Sequence, residues 1–471
     1  MTVPREDTPV VDAAKAAELP RRFGFWTGLF VVVASMVGGG ILTTSGFILR
    51  DTQSHTVLLA LWALGGVLAL CGALTLAELA SAMPRVGGEY VYVRRAFGPT
   101  SGFVYGAATI VLAFAAPIAV IAHATVAYLA AAASGLGPDN ALSGLFAQEW
   151  FAPTFGSVLI IALSILHILG QRESAWLQGA TTLFKLLTLI AIAVLGLCCG
   201  EGEVAHLAGG RPLSEQNPGV LAVALIQVAY AYSGWNGAAY LAGEIRDPAR
   251  HLPRCLIGGC ALVTLLYLAL NLTYAYALDP REVANLSPSE IERIAETATT
   301  RLFGARIGSV LALVIGAGLL ASLSAFILTG PRVAFAMAND GLLPAGFGRV
   351  HRQRATPAVA TWLQAALALI VLWSGGFDAM VIYSGAGMAM LSSMVLLAVF
   401  PLRRRGELPG PFATPFFPLP PVIYVLTLVW MIVYAIGTDP WPPILSIASI
   451  GLMWPLHWLV SRRGRRAARG R

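Results

Sequence analysis

The polar positions of this 471-residue chain gather into short clusters, and the apolar residues between them fall into long runs. Runs such as 57–77 and 311–328 come close to the ~20 residues that a helix needs to cross a bilayer. The pattern predicts spans near 24–49, 56–82, 100–133, 154–170, 175–199 and 218–242 in the first half. The second half reads 254–278, 304–337, 357–374, 378–400, 417–437 and 442–460. The third and eighth runs exceed one bilayer thickness, so they are expected to tilt steeply or project into water. The expected fold is an all-α polytopic membrane protein with 12 transmembrane helices, which puts both termini on one side.

Composition agrees with the pattern. Hydrophobic residues make up 57% and charged residues only 12%, against roughly 25% charged in an ordinary soluble domain. Mean hydropathy is +0.73. A soluble dehydrogenase, a nucleic-acid-binding domain and a disulfide-framed secreted module are excluded at this point. The net charge of +7 is explained by orientation: of 31 Lys and Arg, 24 fall on the side of the termini, six (Arg50, Arg211, Arg281, Arg293, Arg301, Arg306) on the other, and Lys185 lies within a span. Positive loops resist translocation, so both termini are expected to be cytoplasmic. The basic run at 461–471 then reads as a topology and lipid-headgroup anchor rather than a nucleic-acid patch. Segment 1–23 is polar and lacks the apolar core of a signal peptide, so it is expected to stay as a cytoplasmic tail. The five cysteines, Cys71, Cys198, Cys199, Cys255 and Cys260, lie in or at the ends of spans, and none is in the outside loops 134–153 or 279–300. Within the second loop, Ser287 with Glu290 three residues on predicts a capping box.

Two spans are interrupted at matching places. The first carries Gly38, Gly39 and Gly40 in mid-membrane, where each Gly costs a helix roughly 1 kcal/mol relative to Ala. The sixth carries Ser233, Gly234, Asn236 and Gly237 at the same depth. Paired glycine-interrupted spans in corresponding positions of two five-span halves point to an inverted-repeat transporter with its site at the midplane. Unwinding frees N–H groups that suit an anion and carbonyls that suit a cation, and a zwitterionic amino acid matches both. Broken backbone must then face protein or a water-filled cavity. The competing explanation, close helix packing through small residues, favours glycines spaced by four on intact helices.

Four stretches resemble the amino acid, polyamine and organocation (APC) superfamily, and within it the L-type and cationic amino acid permeases. They are MVGGGIL (36–42), ELASAMPRVGGEYVYVRRAFG (78–98), AYSGWNGAAYLAGEIRDPARHLPR (231–254) and GPRVAFAMANDGLLP (330–344). The resemblance implies a LeuT-type five-plus-five inverted repeat, 24–199 and 218–400, followed by two extra helices over 417–460. It implies that the amides of Gly39 and Gly40, with Gly38 beside them, hold a substrate carboxylate, and that the carbonyls of Met36, Tyr230, Ala231 and Ser233 face its ammonium. Tyr230 takes the position of an aromatic gate, joined by Trp235, while Asn236 and Gly234 support the unwound segment. Ser233 stands where L-type relatives have glycine, and its added bulk favours smaller substrates. The relatives' heavy-subunit cysteine is missing from 134–153, so no disulfide-linked partner is expected.

Lys185 is the only basic residue deep inside a span, roughly 16 Å of helix from its start. An ionisable group at that depth is a functional candidate by default. The stretch TLFKLLTLI (182–190) resembles the fifth-span lysine of sodium-independent permeases, whose ammonium replaces sodium. Burial opposes its charge and the broken helix's carbonyls favour it, so a fixed cation (exchange) and a titrating one (proton symport) both stand. His123 and His167 read as satisfied core histidines, with no metal site and no cofactor. Glu78, Glu89 and Glu244 are expected to pair with Arg85, Arg94, Arg95 or Arg246, and Asp378 is expected to be solvated. No HExxH, GxSxG or paired intramembrane carboxylates suggest an enzyme. The expected function is transport of small or neutral amino acids in a bacterial inner membrane, with protons as a candidate co-substrate. A cationic amino acid or polyamine carrier and a transporter-fold sensor are the alternatives.

Overall fold

The computed structural model describes residues 21 and 23–469, apart from 85–87, 136–140, 147, 149, 170–174, 209 and 349–356. Expectations resting on Arg85, Arg172, Arg349, Arg352, Arg354 and most of the tail 1–23 lie outside the described residues, as do the side chains of 461–471.

The first apolar run forms α1 (Phe25–Met36) and α2 (Gly40–Thr52), bent by 40° across Val37, Gly38 and Gly39. Next come α3 (His55–Ala82), whose first turn is capped by the Ser54 side chain, and α4 (Glu89–Phe97), a short amphipathic helix outside the expected spans. The third run is α5 (Pro99–Ser134), 36 residues long with a π-helical segment at Ile110–Ala115. Two more helices complete the first half, α6 (Phe151–Ile168) and α7 (Ala175–Cys199). The sixth run is α8 (Pro218–Ala231), capped by the Asn217 side chain, then a turn through Gly234 (φ +96°), then the four-residue α9 (Gly237–Tyr240). The remaining helices are α10 (Pro248–Ala277), α11 (Ala305–Asn339), α12 (Ala358–Ser374), α13 (Phe377–Arg404), α14 (Leu419–Thr438) and α15 (Trp441–Arg469). Among the described residues nine helices are long and apolar enough to cross a bilayer, ten if α1 and α2 count as one span. The apolar helices α8 and α12 are shorter, α8 because its run is interrupted. This is an integral membrane protein.

Close approach of backbones organises the interior. A Cβ on Gly65 of α3 would lie 2.3 Å from Val228 of α8, and one on Gly66 would lie 2.3 Å from Thr264 of α10. Gly28 of α1 meets Cys255 of α10, and Gly316 of α11 meets Leu129 of α5. Small residues at such crossings gain dispersion contacts in a setting where lipid is as apolar as the protein. The most apolar window of α5 is 78% buried and that of α15 only 11%, so α5 lies at the centre and α15 at the lipid boundary.

Each end of the bundle is tied by polar contacts that differ from the expected ones. On the basic face Glu78 accepts the Arg403 fork at 2.6 Å on both oxygens, and Thr414 donates to it through N–H (2.8 Å) and hydroxyl (2.5 Å). Arg94 binds Asp340, and Arg95 binds Glu407 at 2.5 Å. Arg246 donates to the Arg21 carbonyl. The expected pairing of Glu78, Glu89 and Glu244 with Arg94, Arg95 or Arg246 is therefore replaced, because the end of α13 and the segment after it return to the foot of α3. A planar guanidinium can satisfy both carboxylate oxygens of a buried glutamate. At the opposite face Asp378 is paired rather than solvated: Arg50 of α2 lies 3.5 Å away and the Gln227 amide donates to it. The loop before α11 contains the capping box, with Ser287 N–H to Glu290 Oε2 at 2.9 Å, and this hydrogen bonding holds the Glu290 carboxyl below its usual range. His123 lies 3.3 Å from Glu292 and His167 bonds Ser324 at 2.9 Å.

Candidate functional site

The two breaks meet. A Cβ on Gly40 would come within 2.5 Å of Ala231 Cα, and a Cβ on Gly234 within 2.3 Å of the Ser35 carbonyl oxygen. Gly237, at the start of α9, faces Ser35 Oγ at 2.6 Å by the same measure. Both positions therefore need glycine, and Gly234 needs it twice, since its positive φ is costly for other L-residues. The first N–H groups of α2 have no acceptor within the helix, a consequence of helix geometry. The Gly39 N–H, just before it, donates to no backbone acceptor among the described residues, while the Gly38 N–H is directed at the Tyr267 hydroxyl. Gly38 is half-buried, and a Cβ there would meet nothing nearer than the Met36 oxygen at 3.9 Å. The space on the Cβ side of Gly38 is open.

The freed carbonyls are partly taken. Tyr267 of α10 directs its hydroxyl at the Met36 oxygen (2.8 Å) and the Ala231 oxygen (3.2 Å), one from each broken span. The Tyr230 oxygen accepts the Ser233 N–H at 3.0 Å. Each carbonyl keeps a second lone pair. Past the break, Tyr128 of α5 bonds the Leu42 oxygen at 2.7 Å. Thr43 and Thr44 fold back onto Gly39 and Gly40 oxygens at 3.0 and 2.8 Å.

Lys185 of α7 reaches the same place. Its ammonium donates to the Val37 carbonyl, inside the first break, and to Ser322 Oγ of α11 at 3.1 Å. Its stem packs beside Gly318, and a cavity of about 10 Å³ lined by Leu42, Thr188 and Leu319 adjoins it. One cation thus joins α7, the broken first span and α11.

The other expected residues divide. Tyr230 is buried on α8, its Cβ facing Gly385 of α13, and its hydroxyl has no hydrogen-bond partner among the described residues. Trp235 seats its ring against Gly72 of α3 and is 4% exposed. Its bulk fills the gap behind the turn. The Asn236 side chain bonds Glu89 of α4. Sequence reasoning missed Tyr267, Ser322 and Ser384, the last donating to the Leu112 oxygen in the π-helical segment at 3.1 Å. Such segments free a carbonyl and recur at functional sites, but their only sequence signal is that α5 is overlong. Among the described residues no cluster of three or more His, Cys, Asp or Glu could hold a metal.

Comparison with known proteins gives a consistent result. A family model described as amino acid permease matches residues 23–454. The serine/threonine exchanger SteT of Bacillus subtilis is 30% identical over 451 residues, covering 94% of this chain and 98% of that protein. The mouse b(0,+)-type amino acid transporter 1 is 25% identical, covering 90% and 85%. The human large neutral amino acids transporter small subunit 2 is 26% identical, covering 90% and 77%.

Proposed function

This chain belongs to the amino acid permease family, and on that premise we propose that it is a secondary-active, sodium-independent exchanger of small neutral L-amino acids. The observation that carries this reading is the crossing itself: the amides of Gly39 and Gly40, with no backbone acceptor among the described residues, lie beside the second broken span, and Gly38 adjoins them. An α-carboxylate suits those amides and the α2 dipole, and an α-ammonium suits the spare lone pairs on Met36, Tyr230, Ala231 and Ser233 oxygens. Tyr230, whose hydroxyl has no hydrogen-bond partner among the described residues, gates the site, and Gly234 with Asn236 holds the turn. Lys185 acts as a fixed cation bridging the first break to α11, which removes the need for sodium. Ser233 narrows the side-chain pocket and agrees with a relative named for serine and threonine.

In this reading the chain is a 12-helix, five-plus-five inverted repeat (24–199 and 218–400) with two further helices (417–460) and cytoplasmic tails (1–23 and 461–471). The Lys/Arg distribution supports that orientation, and the end-to-end match to a Bacillus protein supports a bacterial plasma membrane. It works without a disulfide-linked subunit.

Labelled L-serine and L-threonine uptake into proteoliposomes tests the reading. Saturable uptake is expected in vesicles preloaded with unlabelled amino acid, at the same rate with and without sodium, and little in empty ones. Gradient-driven accumulation in empty vesicles would mean symport instead, and no saturable uptake in either would refute transport of these substrates.

A further inference from the structure

Glu89 begins α4 directly after Gly88 (φ +57°), and the residue is only 3% exposed. Its Oε2 accepts the Tyr105 hydroxyl at 2.6 Å and the Tyr240 hydroxyl at 3.3 Å, and Asn236 adds a third bond to the carboxyl. Oε1 is buried with no hydrogen-bond partner among the described residues. Among the described residues no cation reaches the group. Arg94 and Arg95, on its own helix, are held by Asp340 and Glu407, and Arg403 of the adjoining α13 is held by Glu78. Of the other titratable groups of α13, Asp378 bonds Arg50 and Gln227, Tyr383 bonds Ser449, and Arg404 is exposed. What remains around Glu89 is phenols: Tyr92 on α4, Tyr105 on α5, Tyr240 on α9 and Tyr424 on α14. A carboxylate without an opposite charge is costly to bury. Burial pushes the Glu89 carboxyl up, and the bonds from Tyr105, Asn236 and Tyr240 pull it back only in part.

The donors come from the second break and from the central helix. Asn236 lies in the turn that breaks the sixth span, Tyr240 is the last residue of α9, and Gly237 between them abuts Ser35 of α1. The Tyr240 ring also lies against Gly88, where a Cβ would come within 2.6 Å. Tyr105 belongs to the central helix α5. The carboxyl is thus the joint that fastens the half-helix α9 to α4 and α5 at the basic face.

We propose that Glu89 is a proton-binding site that links closure of the basic face to pH, holding a proton while α9 is docked on α4 and releasing it to water when α9 swings away. The proton comes from bulk water and returns to it. The inference rests on the exchange reading, because it needs α9 to undock in the cycle. A docked state that binds the proton more tightly is, by reciprocity, favoured by acid. That stabilisation is complete below the ordinary carboxylate value of about 4.3 and is lost as pH rises through the raised Glu89 value.

The test is exchange by the full chain in proteoliposomes at equal pH inside and outside. Wild-type exchange is expected to slow on acidification from neutral pH, by about tenfold for each unit by which docked and undocked carboxyls differ. Glu89→Gln, an uncharged isostere, should run at the slow acid-limb rate at every pH. Tyr105→Phe, which removes a bond favouring the charged form, should move the midpoint to higher pH. A flat wild-type profile, a Glu89→Gln protein with the wild-type profile, or an unmoved midpoint in Tyr105→Phe would overturn the inference while leaving exchange standing. Absence of wild-type exchange at any pH would instead overturn the exchange reading beneath it.

Discussion

Lys185→Ala is expected to reduce exchange by at least about tenfold while the purified protein remains monodisperse. The ammonium is, among the described residues, the one donor to the Val37 carbonyl and it also bonds Ser322, so it holds the first break against α11. A hydrogen bond to a charged group contributes about 1.5–3 kcal/mol, and each 1.4 kcal/mol is tenfold in an equilibrium. Losing the Val37 bond alone therefore shifts the balance between conformations by about 10- to 150-fold. The fold should survive, because Tyr267, Tyr128 and the threonines after the break still anchor the first span. Exchange rates at matched protein density, with size-exclusion profiles alongside, check this. A mutant that exchanges at the wild-type rate would show that the cation is only structural filler.

Gly234→Ala is expected to have the larger effect on stability. A methyl there lies 2.3 Å from the Ser35 oxygen and 2.6 Å from its carbonyl carbon, both backbone atoms that cannot rotate away. The positive φ adds about 1–2 kcal/mol for any other L-residue, and overpacking adds about 1–3. Together these amount to roughly 2–5 kcal/mol, enough to lower the melting temperature in detergent by many degrees. Gly437→Ala, where a Cβ meets nothing within 4 Å, is the matched control and should be close to neutral. Equal melting temperatures for the two variants would mean that the broken spans do not cross as described.

Much of this site was legible in the sequence because its signals are local. Three consecutive glycines and the AYSGWNGAAY turn break a helix wherever they stand, and Lys185 is conspicuous at mid-span for reasons of solvation alone. The lengths of apolar runs likewise gave most helix limits to within a few residues. The partners of polar groups were not legible, since they depend on which distant segments return to the same place. Glu78 finds Arg403 across 325 residues, a pairing that no spacing announces. Tyr267 looks like any aromatic in an apolar run until its hydroxyl is seen shared by Met36 and Ala231 oxygens. Trp235 lies in the GWN segment, and that its ring meets Gly72 of α3 depends on a helix more than 150 residues earlier. Glu89 next to two arginines reads as an ion pair, but those arginines extend from α4 toward Asp340 and Glu407 instead.

On the proposed reading a substrate carboxylate sits on the amides of Gly39 and Gly40, with Gly38 beside them. Gly38 offers the sharpest probe of it, because a Cβ there touches no protein atom closer than 3.9 Å and so should not disturb the fold. The decisive measurement is the apparent affinity of Gly38→Ala for L-serine in the exchange assay, paired with its melting temperature. The account predicts an unchanged melting temperature and an affinity weakened by about tenfold or more, since a methyl in the open space displaces the carboxylate from its donors at a cost of 1.4 kcal/mol per tenfold. An affinity equal to wild type, in a protein of equal stability, would contradict it.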